Sequence, residues 1–260
     1  MFGKRILRVA AVGAAVALPM TVAVTSPAAA AEKPTKATVS VLHAIPGTVL
    51  AGLGVAGGIV DVCANGSVEL IPDFAPGALK TLEVAPGDYR LTVHAGALGC
   101  ASAPLLSANA TVVAGRDYTV TANLFATGGT PAALPTLNVF VNNKAPVTRF
   151  VSKATKTVGR VTVRHIAVAP AVDVFVNGNV AISGLTNPNQ AQARLPKATY
   201  QVAAGLAGAG TAGIALGPVP LPVKAGQNVI VYAWGIPQSA GGAGVQVAVQ
   251  YVKLTAPKSR

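Results

Sequence analysis

Two histidines and two aspartates recur at matching places in the chain: His43 with Asp61, and His165 with Asp173. Each pair flanks one connection between strand-like segments, so the two side chains are expected to approach. A histidine oriented by an aspartate can activate a neighbouring nucleophile or lend two ligands to a metal ion. Neither chemistry is complete here. There is no Gly-x-Ser-x-Gly elbow, no third acid recurs in both copies, and one His with one Asp falls short of a firm metal site. The pairs are therefore expected to be structural, hydrogen bonding across the turn they flank, with ligand contact, metal binding and catalysis ranked below. The strand aspartates are read as facing solvent or capping a turn. Glycoside hydrolysis needs two acids across a cleft, whereas Asp173 is the single acid after residue 143. Phosphate loops, dinucleotide fingerprints and calcium loops are missing as well. A protein that is not an enzyme and carries no cofactor is the expectation.

The elements that hold these residues are two copies of one pattern. Val161–Gly178 reads VTVRHIAVAPAVDVFVNG, and residues 39–66 read VSVLHAIPG, an insertion, then IVDVCANG. Tyr89 and Tyr200 are 111 positions apart, as are Gly115 and Gly226. Constant spacing over many features marks an internal duplication. In each copy side chains alternate with period two, as Val39 and Val41 do with Thr38, Ser40 and Leu42, which predicts strands with one buried face. Asn65-Gly66 and Asn177-Gly178 are hairpin turn signals. About seven such strands per copy, with turns between them, predict an all-β protein of two tandem immunoglobulin-like β-sandwich domains. The repeats are placed at 38–142 and 160–255. Residues 143–159, carrying Lys144, Arg149, Lys153 and Lys156, are read as a basic surface linker. The insertion Thr48–Gly58 is so apolar that it must lie over something or form a contact surface.

Composition agrees. Gly (28) and Pro (19) are abundant and charged residues make up only 11%, which suits short strands joined by turns better than helical surfaces. Lys4, Arg5 and Arg8, the apolar run 9–24 and the small residues before Glu32 form a signal peptide, expected to be cleaved and spanning residues 1–31. No later run has the ~18 apolar residues of a transmembrane segment. Cys63 and Cys100 are the only cysteines, and in an exported chain such a pair predicts a disulfide. It would contribute roughly 3–4 kcal/mol by constraining the unfolded chain. In the second copy Phe175 stands opposite Cys63, so that copy relies on packing alone.

Charge separates the copies further. Residues 32–143 hold five basic against seven acidic side chains, and residues 144–260 hold twelve against one. That asymmetry points to a polyanion contact through Lys144, Arg149, Lys153, Lys156, Arg160 and Arg164. Nucleic acid is not the expected partner, because Phe150, Phe175, Tyr200, Tyr232, Trp234 and Tyr251 mostly occupy alternating strand positions that suit a core rather than a base-stacking face.

The pattern V-x-V-x-H-A, then V-D-V-x-x-N-G, a P-x-x-Y strand and an A-G-x-x-Y-T-V strand resembles the domain of unknown function numbered 4397. His43-Ala44, Val60-Asp61-Val62, Asn65-Gly66, Pro86 to Arg90 and Ala114 to Val120 carry it in the first repeat, and His165, Ala169 to Val174 and Asn177-Gly178 in the second. Thr199-Tyr200 lacks the usual glycine two before the tyrosine, and Ala225 to Val229 lacks the tyrosine. The resemblance implies a bacterial β-sandwich protein of the cell envelope, with no catalytic residues to carry over. Together these readings predict a secreted or envelope-associated module that is structural or binding, meeting an anionic cell-wall polymer or another envelope protein. A secreted hydrolase or metal-binding protein using the His/Asp pairs is the alternative.

Overall fold

The structure is a computed structural model that describes residues 35–96, 98–126, 133–147, 157–238, 242 and 244–256. The expected signal peptide and positions 148–156 of the expected linker lie outside the described residues.

The chain is all-β, with sixteen strands and one short α-helix among the described residues. The first repeat comprises β1 (Ala37–Ala44), β2 (Val60–Ala64), β3 (Val68–Phe74), β4 (Leu79–Val84), β5 (Gly87–Ala95), β6 (Leu106–Val112), β7 (Asp117–Ala126) and β8 (Ala133–Val141). The second comprises β9 (Val158–Ala167), β10 (Val172–Val176), β11 (Asn179–Leu185), β12 (Gln190–Pro196), β13 (Ala198–Leu206), β14 (Ile214–Val223), β15 (Gln227–Ile236) and β16 (Gly244–Lys253). Each repeat therefore has eight strands where about seven were expected. They form two four-stranded sheets, ordered β4-β1-β7-β8 and β3-β2-β5-β6 in the first, and β12-β9-β15-β16 and β11-β10-β13-β14 in the second. The first strand of each repeat runs parallel to the seventh and antiparallel to the fourth. The result is a sandwich whose strand order differs from the ABED and CFG sheets of an immunoglobulin constant domain.

Local chemistry explains the turns. Asn65 and Gly66 have φ of 53° and 84°, and Asn177 and Gly178 have 50° and 80°. Positive φ at both central residues matches the right-handed twist of the strands they join. Each asparagine also accepts a hydrogen bond from the strand on the other side of its hairpin, at Arg90 N of β5 and Gln201 N of β13. The hydroxyls of Tyr89 and Tyr200 each donate to the carbonyl four residues upstream, Ala85 and Pro196.

Each sandwich has its own apolar core. Val39, Val41, Val60, Val62, Ile71, Phe74, Leu91, Val93, Tyr118 and Val120 fill the first. Val161, Val163, Val174, Leu185, Leu221, Val229 and Val231 fill the second. The other face of β1 is not the solvent face that alternation predicts. The described residues form one compact unit, and the sheets built on β1 and on β9 lie against each other. Leu42, Ala44, Ile166, Ile230, Tyr232, Trp234 and Val252 make the apolar part of this seam. Gly77, at φ 81°, fits here because a Cβ would stand 3.2 Å from the Trp234 ring.

Beside that patch the seam is polar and largely hydrogen-bonded, with Arg160 Nε and Asn187 Oδ1 left without a partner among the described residues. Gln250 donates from Nε2 to Ser40 Oγ and accepts from Thr119 Oγ1 and the Tyr232 hydroxyl. Arg164 is fully buried and donates to Tyr232, Asn142 and Gln190 at 2.9, 2.8 and 2.9 Å. Its guanidinium also stacks 4.3 Å from the Phe140 ring centre. Removing a charge from water costs several kcal/mol, which three hydrogen bonds and two aromatic faces offset. The expected linker is engaged at both described ends. Asn143 bonds Gln192, the Lys144 carbonyl accepts from Thr255 N, and Val158 and Gly159 already belong to β9.

Candidate functional site

The histidines and aspartates take different partners. His43 Nε2–H donates to the Gly58 carbonyl at 2.9 Å and its Nδ1 accepts from Ile45 N at 3.4 Å, so both ring nitrogens are used within one loop. His165 Nε2–H donates to the Pro170 carbonyl at 3.0 Å, whereas its buried Nδ1 has no partner among the described residues. Burial lowers both imidazole pKa values from the usual range, against the pull of the nearby carbonyls. The rings are thus neutral ties across the connection from the first strand to the second.

The aspartates act one strand further on and are buried rather than facing solvent. Asp61 Oδ1 accepts from Asp73 N, and Asp173 Oδ1 accepts from Gly184 N. Asp73 and Gly184 both have positive φ, 48° and 63°, where the hairpins β2–β3 and β10–β11 shift register. The carboxylate holds the bulge by satisfying an amide that the ladder leaves free. Asp173 Oδ2 also accepts from Gly208 N, and these amide bonds pull its pKa down. Among the described residues no cluster of three or more His, Cys, Asp or Glu side chains could hold a metal ion.

Cys63 and Cys100 form the expected disulfide, tying β2 to the loop between β5 and β6. His94 braces the same loop through Ser102 Oγ, and its other nitrogen meets Thr92 Oγ1.

The polyanion expectation needs correction at two residues. Arg160 is 5% exposed and Arg164 is 0% exposed, because they lie on the face of β9 that the first repeat covers. Lys144 is half-buried beside the seam, and Arg149, Lys153 and Lys156 lie outside the described residues. Positive charge reaches the surface elsewhere. Arg194 pairs in register with Arg160 near one end of β12, and Lys197 follows in the turn to β13. Lys224 sits in the β14–β15 turn and Lys253 lies opposite Gln227 at the same end. All four are exposed and form a basic pole. Burial, then the Arg194 charge, depresses the pKa of Arg160. Sequence reading missed these residues because it followed the dense run around 143–164, although Pro196-Lys197-Ala198 and Lys224-Ala225-Gly226 were visible as turns.

A cleft of about 420 Å³ adjoins the pole along the seam, lined by Arg116, Asp117, Asn142, Asn143, Lys144, Gln190 and Gln192 among others. Burial raises the Asp117 pKa, and the hydrogen bond from Asn142 opposes that rise. Such a lining offers amide donors and acceptors with cations at the rim. No helix among the described residues is long and apolar enough to cross a membrane. Compared with known proteins, the chain matches no family model and no curated protein, so its likeness to the domain of unknown function numbered 4397 rests on the motifs alone.

Proposed function

We propose that this is an exported, non-catalytic binding module of the cell envelope whose second repeat contacts an anionic wall polymer through its basic pole. The observation that supports this reading is the gathering of exposed Arg194, Lys197, Lys224 and Lys253 at one end of a repeat whose single acid, Asp173, is tied to Gly184 and Gly208. The amide-lined cleft beside the pole suits the hydroxyls of such a polymer. The disulfide agrees with an oxidising compartment, and the basic, then apolar, then small-residue start of the chain agrees with export.

The test is sedimentation of the purified protein with isolated cell walls across a salt series. Retention is expected to fall steeply towards ~1 M salt, where the Debye length is ~3 Å. Replacing Arg194, Lys197, Lys224 and Lys253 together by glutamate should abolish it at low salt. Retention unchanged by salt, or by that fourfold charge reversal, overturns the proposal.

A further inference from the structure

The His43 end of the first sandwich and the His165 end of the second are built from equivalent positions, yet only one is filled. From His43 to Val60 the chain runs seventeen positions, and from His165 to Val172 it runs seven. The extra residues of the first repeat include helix α1 (Gly47–Gly52), whose Leu50 enters the core together with Val55 and Ile45. What remains there is a space of about 60 Å³. The second repeat has no such insertion, and the same place holds a cavity of about 740 Å³ between its two sheets. Val60, Val93 and Ala122 are buried around the plug, whereas their counterparts Val172, Ala204 and Ala233 are only half-buried around the cavity.

We propose that this cavity is a binding site for one uncharged aliphatic molecule, such as a long-chain alcohol or neutral lipid tail. Its volume falls within the ~300–1,000 Å³ of small-molecule pockets, and its walls are mainly Ala, Val, Leu and Gly. The first repeat shows which chemistry satisfies this space, since the branched aliphatic side chains of Leu50 and Val55 occupy it there. Charge selects further. Among the described residues no Lys, Arg, Asp or Glu lines the cavity, and the single titratable group there, His165, is a neutral imidazole bonded to the Pro170 carbonyl. A carboxylate or ammonium would enter without a partner. Leu206, 52% exposed, stands on the wall and gives an arriving chain an apolar landing. The site is separate from the basic pole, so this inference goes beyond the wall-polymer reading and stands without it.

The test uses the full mature chain and the neutral fluorophore N-phenyl-1-naphthylamine, with 1-dodecanol and dodecanoate as competitors. Saturable binding of one fluorophore per chain is expected, displaced by dodecanol at concentrations at least about tenfold below those of dodecanoate. Ala204→Leu, or Ala167→Leu if the first variant unfolds, should weaken binding about tenfold or more while leaving cooperative thermal unfolding intact. Leu50→Val, a change in the first repeat, should leave the fluorophore affinity unaltered. Absence of saturable binding overturns the proposal, as does equal displacement by dodecanoate, or affinity unchanged in a folded Ala204→Leu or Ala167→Leu protein.

Discussion

At the histidine end of the first repeat, Leu50 and Val55 are folded into the sandwich and a disulfide clamps the neighbouring sheet. At the same end of the second, a seven-position connection leaves the sheets parted, and Phe175 stands where Cys63 forms its bond. Both copies keep the histidine tie and the aspartate at the bulge, and at the far end of the second strand the Asn-Gly turn. What differs is what fills the space between the sheets. One copy fills the space with its own side chains, and the other leaves it open. Duplication allows this division, because the paired copy already supplies a stable neighbour along the seam.

That contrast can be broken experimentally. The largest effect is expected from Cys63→Ser with Cys100→Ser, which should cost roughly 3–4 kcal/mol in a denaturant titration. No loss in the double variant would mean the first repeat is held by its plug and seam alone. Leu50→Ala should cost about 3 kcal/mol, as a fully buried leucine does. On the cavity wall of the second repeat, Leu216→Ala should cost about 1 kcal/mol or less because Leu216 is only half-buried. Equal losses at the two positions would erase the distinction between a plugged and an open end. Ala204→Leu, filling empty space, is expected to raise stability by about 0.5–1 kcal/mol; a loss above that size would mean the walls cannot accept added volume.

The smallest effect concerns pH. Burial holds the folded-state pKa of His43 and His165 below that of the unfolded chain, near 6.5. Between those values the unfolded chain binds more protons, so stability is full above about pH 6.5 and declines as pH falls below it. Denaturant titrations from pH 7.5 to 5 should show this slope, and His43→Gln with His165→Gln should remove most of it. A slope that persists in the double variant would assign it to other groups.

The sandwich class was legible because period-two alternation and Asn-Gly turns are local signals, and the 111-residue spacing carried the duplication. The histidine tie was legible for the same reason, since its partner lies within its own loop. The aspartates were harder to read. Their amide partners, Asp73 and Gly184, sit on the following strand, at bulges that alternation does not announce. The seam was misread for a deeper reason. Ser40, Thr119, Thr162, Arg164 and Gln250 are polar at alternating positions, which signals solvent when a sheet is considered alone. They are buried because another sheet supplies hydrogen-bond partners across the contact, and sequence periodicity cannot distinguish water from a complementary protein face. The same blindness placed Arg160 and Arg164 on a surface. The cavity follows from a deletion relative to the first repeat, so comparison of the copies located the difference without revealing its volume.

The bond from Gln250 to Ser40 joins the last strand described to the first, across 210 positions. During synthesis, β1 and β7 would therefore emerge long before the surface that covers them. Until β15 and β16 arrive, Leu42, Ala44 and the hydroxyls of Ser40 and Thr119 must be hydrated or held by a chaperone. A chain interrupted before β16 would keep a well-formed first sandwich and still display one uncovered face. The two sandwiches are therefore completed together, since the covered face of the first closes only when the final strand of the second is in place.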